Sequence, residues 1–224
     1  MKSDDTNRFP PEIILWGGTG QAKVVRPIIE YYGSRVVAVF DDSPNLKAPF
    51  RDVPLYLGDE FKEWIQTRRG LEIGFCVAIG NPNGRARIRL HCELKEEGLT
   101  PVTVVHPAAF ISENAKIGAG SQIMAGAIIG PEVVIGQDCI INTNASVDHE
   151  SILESGVEIS PGATLCGLVN VGVNGWVGAG ATILPRVQIG SDTIVGAGAV
   201  VTINVKKGQT VIGVPAKPVK DSEI

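Results

Sequence analysis

The chain has 224 residues, a net charge of −4 and a pI near 5.4, so its charge predicts no binding to nucleic acid or to an anionic membrane. The first residues, MKSDDTNRFPPE, contain no apolar stretch of the kind found in signal peptides. No run approaches the roughly 18 apolar residues that cross a bilayer. We therefore expect a soluble, cytoplasmic protein that is not inserted in a membrane and has no nucleic-acid partner.

The four cysteines are far apart in the chain and form no CxxC pair. This spacing predicts reduced, mostly buried thiols and neither a disulfide framework nor a metal site. The residues concerned are Cys76, Cys92, Cys139 and Cys166.

Up to residue 104 the sequence alternates strand-like and helix-like segments. In chain order we predict a strand at 12–16, a helix at 21–32, a strand at 35–40, a helix at 59–68, a strand at 73–79, a charged helix at 84–97 and a short strand at 102–104. Such alternation is typical of a small parallel sheet with crossover helices, here an α/β domain that resembles half of a Rossmann fold.

A glycine-rich turn, Gly17-Gly18-Thr19-Gly20, lies between the first strand and the first helix. Backbone amides in this position can bind a phosphate, and Asp41 at the end of the next strand suits a ribose hydroxyl. This pattern alone makes NAD a candidate ligand. Against NAD, Lys23 interrupts the full GxGxxG motif, and about 100 residues supply only one mononucleotide-binding half.

From Val105 onward an aliphatic residue occurs at every sixth position, 17 times without a gap, until Lys207 ends the series. The series is Val105, Ile111, Ile117, Ile123, Ile129, Ile135, Ile141, Val147, Leu153, Ile159, Leu165, Val171, Val177, Ile183, Ile189, Val195 and Val201. A period of six cannot form one face of an α-helix, but it fits a solenoid in which three hexads make one triangular coil. We predict a left-handed parallel β-helix of five to six coils, with the aliphatic residues inside.

The hexads are similar to those of the hexapeptide-repeat acyltransferases, and the whole chain resembles the bacterial sugar acyltransferases typified by the bacillosamine-pathway N-acetyltransferase and the sialic-acid O-acetyltransferases. The matching segments are ILWGGTGQAKVV, VVAVFDD, IGNPNGR, NTNASVDHE and GVPAKPV. The resemblance implies acetyl-CoA as co-substrate, no metal, a homotrimer, and a nucleotide sugar as the ligand of the first domain.

The histidines narrow the search for a general base, because the chain has only three. We expect His91 to be a surface residue of the charged helix and His106 to have a structural role. His149 is predicted to point outward from the coil, and histidine, with an ordinary pKa near 6.5, suits proton removal at neutral pH. The resemblance supports His149 as the base, with Glu150 orienting its imidazole.

Other candidate residues follow from the coil period or from the resemblance. Gly167 lies eighteen residues after His149, one coil further along the same face, where its amide could stabilise an oxyanion. Asn142 matches a family asparagine near the sugar, with a buried structural asparagine as the alternative. Glu158 stands where relatives commonly carry a second histidine, and we expect it to line the substrate cleft.

Ligand-binding residues at both ends of the chain rest on the resemblance. For the nucleotide sugar these are Gly17, Thr19 and Gly20 in the glycine-rich turn, Asp41 and Asp42 near the base and ribose, and Asn81 and Arg85 near the diphosphate. For coenzyme A they are Gly167, Gly180, Ala181, Gly198 and Ala199 along the pantetheine arm, and Pro215 and Lys217 near the phosphates. The expected domains are 1–104 for nucleotide sugar, 105–206 for acyl transfer, and a tail at 207–224 that contacts the coenzyme.

The favoured function is acetyl transfer from acetyl-CoA to the amine of a UDP-linked 4-amino-4,6-dideoxy sugar, with a GDP-linked sugar nearly as compatible. O-acetylation of a sugar hydroxyl is the alternative, and a non-enzymatic binding β-helix is the rival outside catalysis. A zinc enzyme on this fold would need several histidines on neighbouring coils, whereas only His149 lies well within them. Coil arithmetic puts Glu158 half a coil from His149, so we expect the two to meet only across a subunit interface.

Overall fold

The computed structural model describes residues 9–80 and 82–219, which form two compact units. One unit comprises residues up to Ile79 together with Leu90–Val104, and the other comprises Gly80–Arg89 and the chain from Val105. No helix among the described residues is long and apolar enough to span a membrane.

The first unit is a five-stranded parallel sheet with helices. In chain order its elements are β1 (Glu12–Trp16), α1 (Gly20–Tyr31), β2 (Arg35–Asp41), β3 (Leu55–Leu57), a 3₁₀ turn (Gly58–Glu60), α2 (Phe61–Gln66), β4 (Ile73–Val77), α3 (Gly84–Glu96) and β5 (Thr100–Pro101). The strand order is β3-β2-β1-β4-β5, so the direction of winding reverses between β1 and β4. Ligands of such sheets bind beside this reversal, at the carboxyl ends of the strands.

The sequence missed β3 and placed the short strand at 102–104, whereas β5 is Thr100–Pro101. Several other elements were predicted to end one or two residues away from their observed limits. The expected surface position of His91 is wrong. Its side chain is buried, and its ring lies edge-on to Phe75 with 5.3 Å between centroids. The charged residues around His91 on α3 hid this inward-facing position.

The second unit is the predicted β-helix. Between Val104 and Val201 it has seventeen strands of two residues, and each of the seventeen aliphatic residues predicted to face inward is the second residue of its strand. Up to the last coil, each strand pairs in parallel with the strand eighteen residues further on, for example Ser146 with Thr164. Most of these aliphatic residues are buried together in one continuous core.

The strands form three faces. The first face contains Val104–Val105, Gln122–Ile123, Ile140–Ile141, Glu158–Ile159, Trp176–Val177 and Ile194–Val195, extended by Thr210–Ile212 and Lys217–Pro218. The second contains Phe110–Ile111, Ile128–Ile129, Ser146–Val147, Thr164–Leu165, Thr182–Ile183 and Val200–Val201. The third contains Lys116–Ile117, Val134–Ile135, Ile152–Leu153, Asn170–Val171 and Gln188–Ile189.

Turns join the faces along three edges, which carry most of the candidate site residues of the β-helix. We call the turns from the first face to the second the first edge; they include 142–145, 160–163, 178–181 and 196–199. The second edge, from the second face to the third, includes 130–133, 148–151, 166–169 and 184–187. The third edge, from the third face back to the first, includes 136–139, 154–157, 172–175 and 190–193.

Candidate functional site

His149 and Glu150 form the turn of the second edge. The His149 Nδ1 atom lies 3.0 Å from Glu150 Oε2, and the two side chains are 47% and 51% exposed. Because a carboxylate only accepts hydrogen bonds, this contact favours the ring form with its proton on Nδ1. The Nε2 atom then keeps its lone pair, which a general base requires.

Gly167 lies one coil beyond His149 on the same edge, as the coil period predicted. The Leu168 amide donates to the His149 carbonyl at 2.9 Å and fixes the two turns against each other. A Cβ atom on Gly167 would lie 2.3 Å from His149 Nε2, so the imidazole occupies space that only a glycine leaves open. Within the described part of the chain, no hydrogen bond from the Gly167 amide is found, and the residue is buried beside the imidazole.

Asn142 and the residues assigned to the coenzyme other than Gly167 lie on the first edge or just after the last coil. Gly180 and Gly198 are exposed in the turns of that edge. Ala181 and Ala199 are completely buried in the core of the β-helix, so their expected contact with the coenzyme is wrong. They are the small residues that fit inside the prism where the chain turns.

The tail after the last coil returns to the β-helix. Lys217 pairs with Ile212 in an antiparallel ladder on the first face, and the Ala216 amide donates to the Val200 carbonyl at 2.8 Å. Pro215 and Lys217 are exposed, as a coenzyme-binding role would require.

Glu158 is not accessible, although its predicted place in an intersubunit cleft requires it to be. It is only 5% exposed, and its Oε2 atom lies 3.7 Å from Nη1 of Arg87, whose side chain is completely buried. Burial raises the pKa of Glu158 to about 7, while Arg87 and a hydrogen bond with Asn142 act in the opposite direction. Burial also lowers the pKa of Arg87, although guanidinium is basic enough to stay protonated.

Sequence reasoning missed Arg87, which it placed in a charged helix. The guanidinium donates from Nε to the Asp138 carbonyl at 2.9 Å and from Nη2 to the Gly156 carbonyl at 2.8 Å. These acceptors are 51 and 69 residues away in the chain, and no local pattern could reveal them. The nearest sequence signal is Gly84, where a Cβ atom would lie 2.1 Å from the Gly156 carbonyl oxygen.

Arg85, expected near a diphosphate, forms a two-pronged ion pair with Asp192. Both nitrogen–oxygen distances are 2.7 Å, and Arg85 and Asn174 together lower the pKa of Asp192 to about 2. In this conformation the guanidinium is engaged on the third edge. Asn81, the other residue expected near the diphosphate, lies outside the described residues.

In the first unit, the glycine-rich turn lies at the carboxyl end of β1, beside the reversal point of the sheet. Gly17 has a φ of +107° and approaches Ala78 so closely that a Cβ atom would lie 2.4 Å from its carbonyl oxygen. Thr19 and Gly20, at the start of α1, are exposed.

The two candidate aspartates at the end of β2 differ in their surroundings. Asp41 accepts hydrogen bonds from the Gly18 amide at 2.7 Å and the Ser43 amide at 2.9 Å. Asp42 is exposed, and its Oδ1 atom lies where Gly58 would carry a Cβ atom. Asp41 therefore shapes the turn, and Asp42 is the more accessible carboxylate for a ligand.

Within residues 9–80 and 82–219, no group of three or more His, Cys, Asp or Glu side chains is arranged to hold a metal ion. The four thiols, of which Cys76 and Cys139 are buried and Cys92 is exposed, form no disulfide.

Comparisons with known proteins agree with this geometry. The PglD N-terminal domain family matches residues 12–89. A histidine-to-alanine mutant of GDP-perosamine N-acetyltransferase from Caulobacter crescentus, solved with CoA and GDP-perosamine, matches with a TM-score of 0.86 and 35% identity over 94% of this chain and 97% of that chain. The acetyltransferase domain of PglB from Neisseria gonorrhoeae, with acetyl coenzyme A, matches with a TM-score of 0.82 and 29% identity over 94% and 100%.

WeeI from Acinetobacter baumannii also matches, with a TM-score of 0.83 and 25% identity over 92% of this chain and 99% of that chain. The Caulobacter enzyme exceeds 30% identity over nearly the whole of both chains. The chain therefore belongs to the hexapeptide-repeat, left-handed β-helix family of sugar N-acetyltransferases.

Proposed function

We propose that this protein transfers the acetyl group of acetyl-CoA to the amine of a nucleotide-linked amino sugar. The observation that carries the proposal is the 35% identity, over 94% of the chain, with an N-acetyltransferase solved with CoA and GDP-perosamine. The exposed His149–Glu150 pair beside Gly167 supplies the groups that such a transfer needs.

In the proposed reaction, the sugar amine attacks the thioester carbonyl carbon while His149 Nε2 accepts a proton from the attacking nitrogen. Glu150 orients the ring through Nδ1 and stabilises the imidazolium that forms. The carbonyl oxygen becomes an oxyanion, which accepts a hydrogen bond from the Gly167 amide. Collapse of this intermediate breaks the carbon–sulfur bond, and the departing thiolate takes the proton back from His149.

The acyl-transfer site is proposed to lie between subunits of a homotrimer. His149 and Gly167 are on the second edge, whereas Gly180 and Gly198 are on the first, so one β-helix holds its base and its coenzyme groove apart. Exposed apolar side chains flank the second edge, and a neighbouring chain would bury them. They are Phe110 and Ile128 on the second face and Val134 and Ile152 on the third.

The nucleotide part of the acceptor is proposed to bind the first unit. The exposed residues Thr19 and Gly20 offer their amides to a phosphate at the start of α1, and Asp42 offers a carboxylate to a base or ribose. UDP- and GDP-linked sugars both fit this description, and the ligand of the Caulobacter relative is GDP-linked.

A thiol-release assay with acetyl-CoA tests the function directly. The panel contains GDP-perosamine, UDP-linked 4-amino-4,6-dideoxy sugars, and matched sugars with a hydroxyl in place of the amine. We expect CoA release and an N-acetylated product, identified by mass spectrometry, with at least one aminosugar and with none of the hydroxyl analogues. Turnover confined to the hydroxyl analogues would assign O-acetylation instead, and no turnover with any of them would contradict the proposal.

A further inference from the structure

Ser151 interrupts a row of apolar residues along the second edge of the β-helix. The residue that ends each neighbouring turn of this edge is a buried valine, namely Val133 one coil earlier and Val169 and Val187 on the next two coils. Ser151 occupies the same place in the coil that carries His149, and it is also completely buried. A buried hydroxyl costs free energy unless it is hydrogen-bonded, whereas a valine packs in the core without polar partners. Core packing alone therefore does not account for the serine.

The Ser151 hydroxyl makes two hydrogen bonds with the next turn of the same edge. Its Oγ atom donates to the Cys166 carbonyl at 3.3 Å and accepts a hydrogen bond from the Val169 amide at 3.1 Å. These two groups are the ends of the turn that contains Gly167. The hydroxyl therefore holds both ends of this turn.

The following turn of the second edge closes differently. There Val169 takes the place of the serine, and the Val187 amide donates directly to the Leu184 carbonyl at 3.4 Å. In the 166–169 turn, no such direct bond between the two ends is found among the described residues. The serine hydroxyl lies between the two groups instead, so it changes how the turn around Gly167 is held.

The bond to the Cys166 carbonyl bears on Gly167 because the two residues share one peptide group. A trans peptide is planar, and its carbonyl and its N–H point in opposite directions, so a fixed carbonyl oxygen also fixes the direction of the N–H. The Cβ position of Gly167 is 2.3 Å from His149 Nε2, and the neighbouring Leu168 amide donates to the His149 carbonyl at 2.9 Å. The peptide held by Ser151 thus lies directly beside the imidazole.

We propose that Ser151 is a positioning residue, which holds the Cys166–Gly167 peptide so that the Gly167 N–H donates to the thioester oxygen as it becomes an oxyanion. This inference rests on the proposed function, which gives the Gly167 amide that task. Ser151 acts through the turn and does not touch the substrates. Its hydrogen bond to the carbonyl also polarises the peptide group, which strengthens the N–H as a donor.

Threonine and valine, which have nearly the same shape, isolate the contribution of the hydroxyl at this position. Val133 and Val169 show that a β-branched residue fits the same place on neighbouring coils. We expect Ser151→Val to lower kcat by about 10-fold or more, because complete loss of an oxyanion donor costs about 10²–10³-fold. Ser151→Thr, which keeps the hydroxyl, should recover most of this loss.

The assay uses GDP-perosamine, or the best acceptor of the panel, together with acetyl-CoA. The KM values for both substrates should change by less than about 2-fold in Ser151→Val, because the N–H stabilises charge that develops in the transition state. Ser151→Ala removes the hydroxyl without added volume and should show the same loss of kcat, so the test does not depend on how well valine packs.

Ser121→Val and Ser121→Thr are the matched controls, because the same pair of hydrogen bonds occurs on the third edge. Ser121 is completely buried, and its hydroxyl donates to the Gly136 carbonyl at 2.9 Å and accepts the Cys139 amide at 3.1 Å. The turn that it holds contains no residue with a proposed part in the reaction. Thermal unfolding measures the stability of all the variants, and only those of Ser151 should lose kcat.

Wild-type kcat in Ser151→Val or Ser151→Ala would overturn the inference. Equal losses of kcat in Ser151→Val and Ser151→Thr would also overturn it, as would a loss of the same size in Ser121→Val. Wild-type protein that acetylates no aminosugar would instead contradict the proposed function, so the two failures are distinguishable.

Discussion

At the residue scale, the contact between Gly167 and the His149 ring makes a sharp prediction. Gly167→Ala adds a methyl group 2.3 Å from Nε2, which must displace the imidazole, while the amide N–H at this position is kept. We expect kcat to fall about 100-fold, because misplacement of a base by about 1 Å has that effect. Steady-state kinetics with a fixed acceptor measure the loss.

The control for this prediction is the same substitution in a His149→Ala background. If Gly167→Ala acts by displacing the ring, it has little further effect once the ring is gone. An equally large loss in that background would show that the methyl group obstructs the substrates themselves.

His149→Ala should lower kcat by roughly 10²–10⁴, the contribution of a positioned general base. The side chain is 47% exposed, so the melting temperature and the affinity for acetyl-CoA should change little. Assays stopped at fixed times measure kcat, calorimetric titration with CoA measures the affinity, and thermal unfolding measures the melting temperature. His106→Ala is the matched control, because that ring accepts a hydrogen bond from the Ala108 amide at 3.0 Å and has no proposed role in the reaction. An unchanged kcat in His149→Ala would remove His149 from the mechanism.

At the element scale, the start of α3 packs on the third edge without room for a side chain. Gly84→Ala would put a Cβ atom 2.1 Å from the Gly156 carbonyl oxygen. In a helix, replacing glycine by alanine ordinarily raises the free energy of unfolding by about 1 kcal/mol. Here the clash should make the substitution lower it instead. Thermal unfolding measures the change in stability. Gly80→Ala is the control, because a Cβ atom there meets nothing within 4 Å. A raised melting temperature for Gly84→Ala would contradict this packing.

The buried Glu158 predicts a pH-dependent stability. Its pKa rises from an ordinary value near 4.5 to about 7 in the folded protein. Between these values the folded state binds more protons than the unfolded state, so the stability that Glu158 contributes falls as pH rises from 4.5 to 7. Arg87 and Asn142 are the groups that oppose this shift.

Glu158→Gln removes the titrating group. Its melting temperature should therefore rise relative to the wild type as the pH increases from 5 to 8, and Glu113→Gln, at an exposed position, should show no such trend. A Glu158→Gln difference that is constant with pH would contradict the assigned shift.

The elements also show which parts of the structure local sequence can predict. Each hexad carries one inward aliphatic residue, so the burial of Val147 or Leu165 can be predicted from the repeat alone. The same period predicts that His149 and Gly167 lie on one edge. Arg87 and Glu158 do not repeat any pattern. Their burial depends on partners 51 to 71 residues distant, and only the folded chain brings these together.

At the scale of the whole molecule, the separation of the second edge from the first makes the proposed trimer testable. His149→Ala removes the base, and Ala179→Trp fills the exposed first-edge turn beside Gly180. Each variant alone should be inactive. Co-refolded in equal amounts, the two should regain about a quarter of the wild-type activity, because that fraction of interfaces would carry both native residues.

Light scattering coupled to size-exclusion chromatography verifies that the mixture is trimeric. Verified mixed trimers without recovered activity would place the base and the coenzyme groove in one subunit. Monomers that are fully active would contradict the shared site altogether.

The strict spacing of the coils has a consequence for how this protein can change by insertion and deletion. Eighteen residues added after Leu153 would return every later turn to its own edge and lengthen the prism by about one strand spacing, 4.8 Å. Six residues added there would keep each aliphatic side chain inside, yet rotate the downstream coils by one face, so that Gly167 would leave the second edge and His149 would lose its neighbour. An insertion that leaves every aliphatic residue inside the prism would thus separate the proposed base, His149, from Gly167.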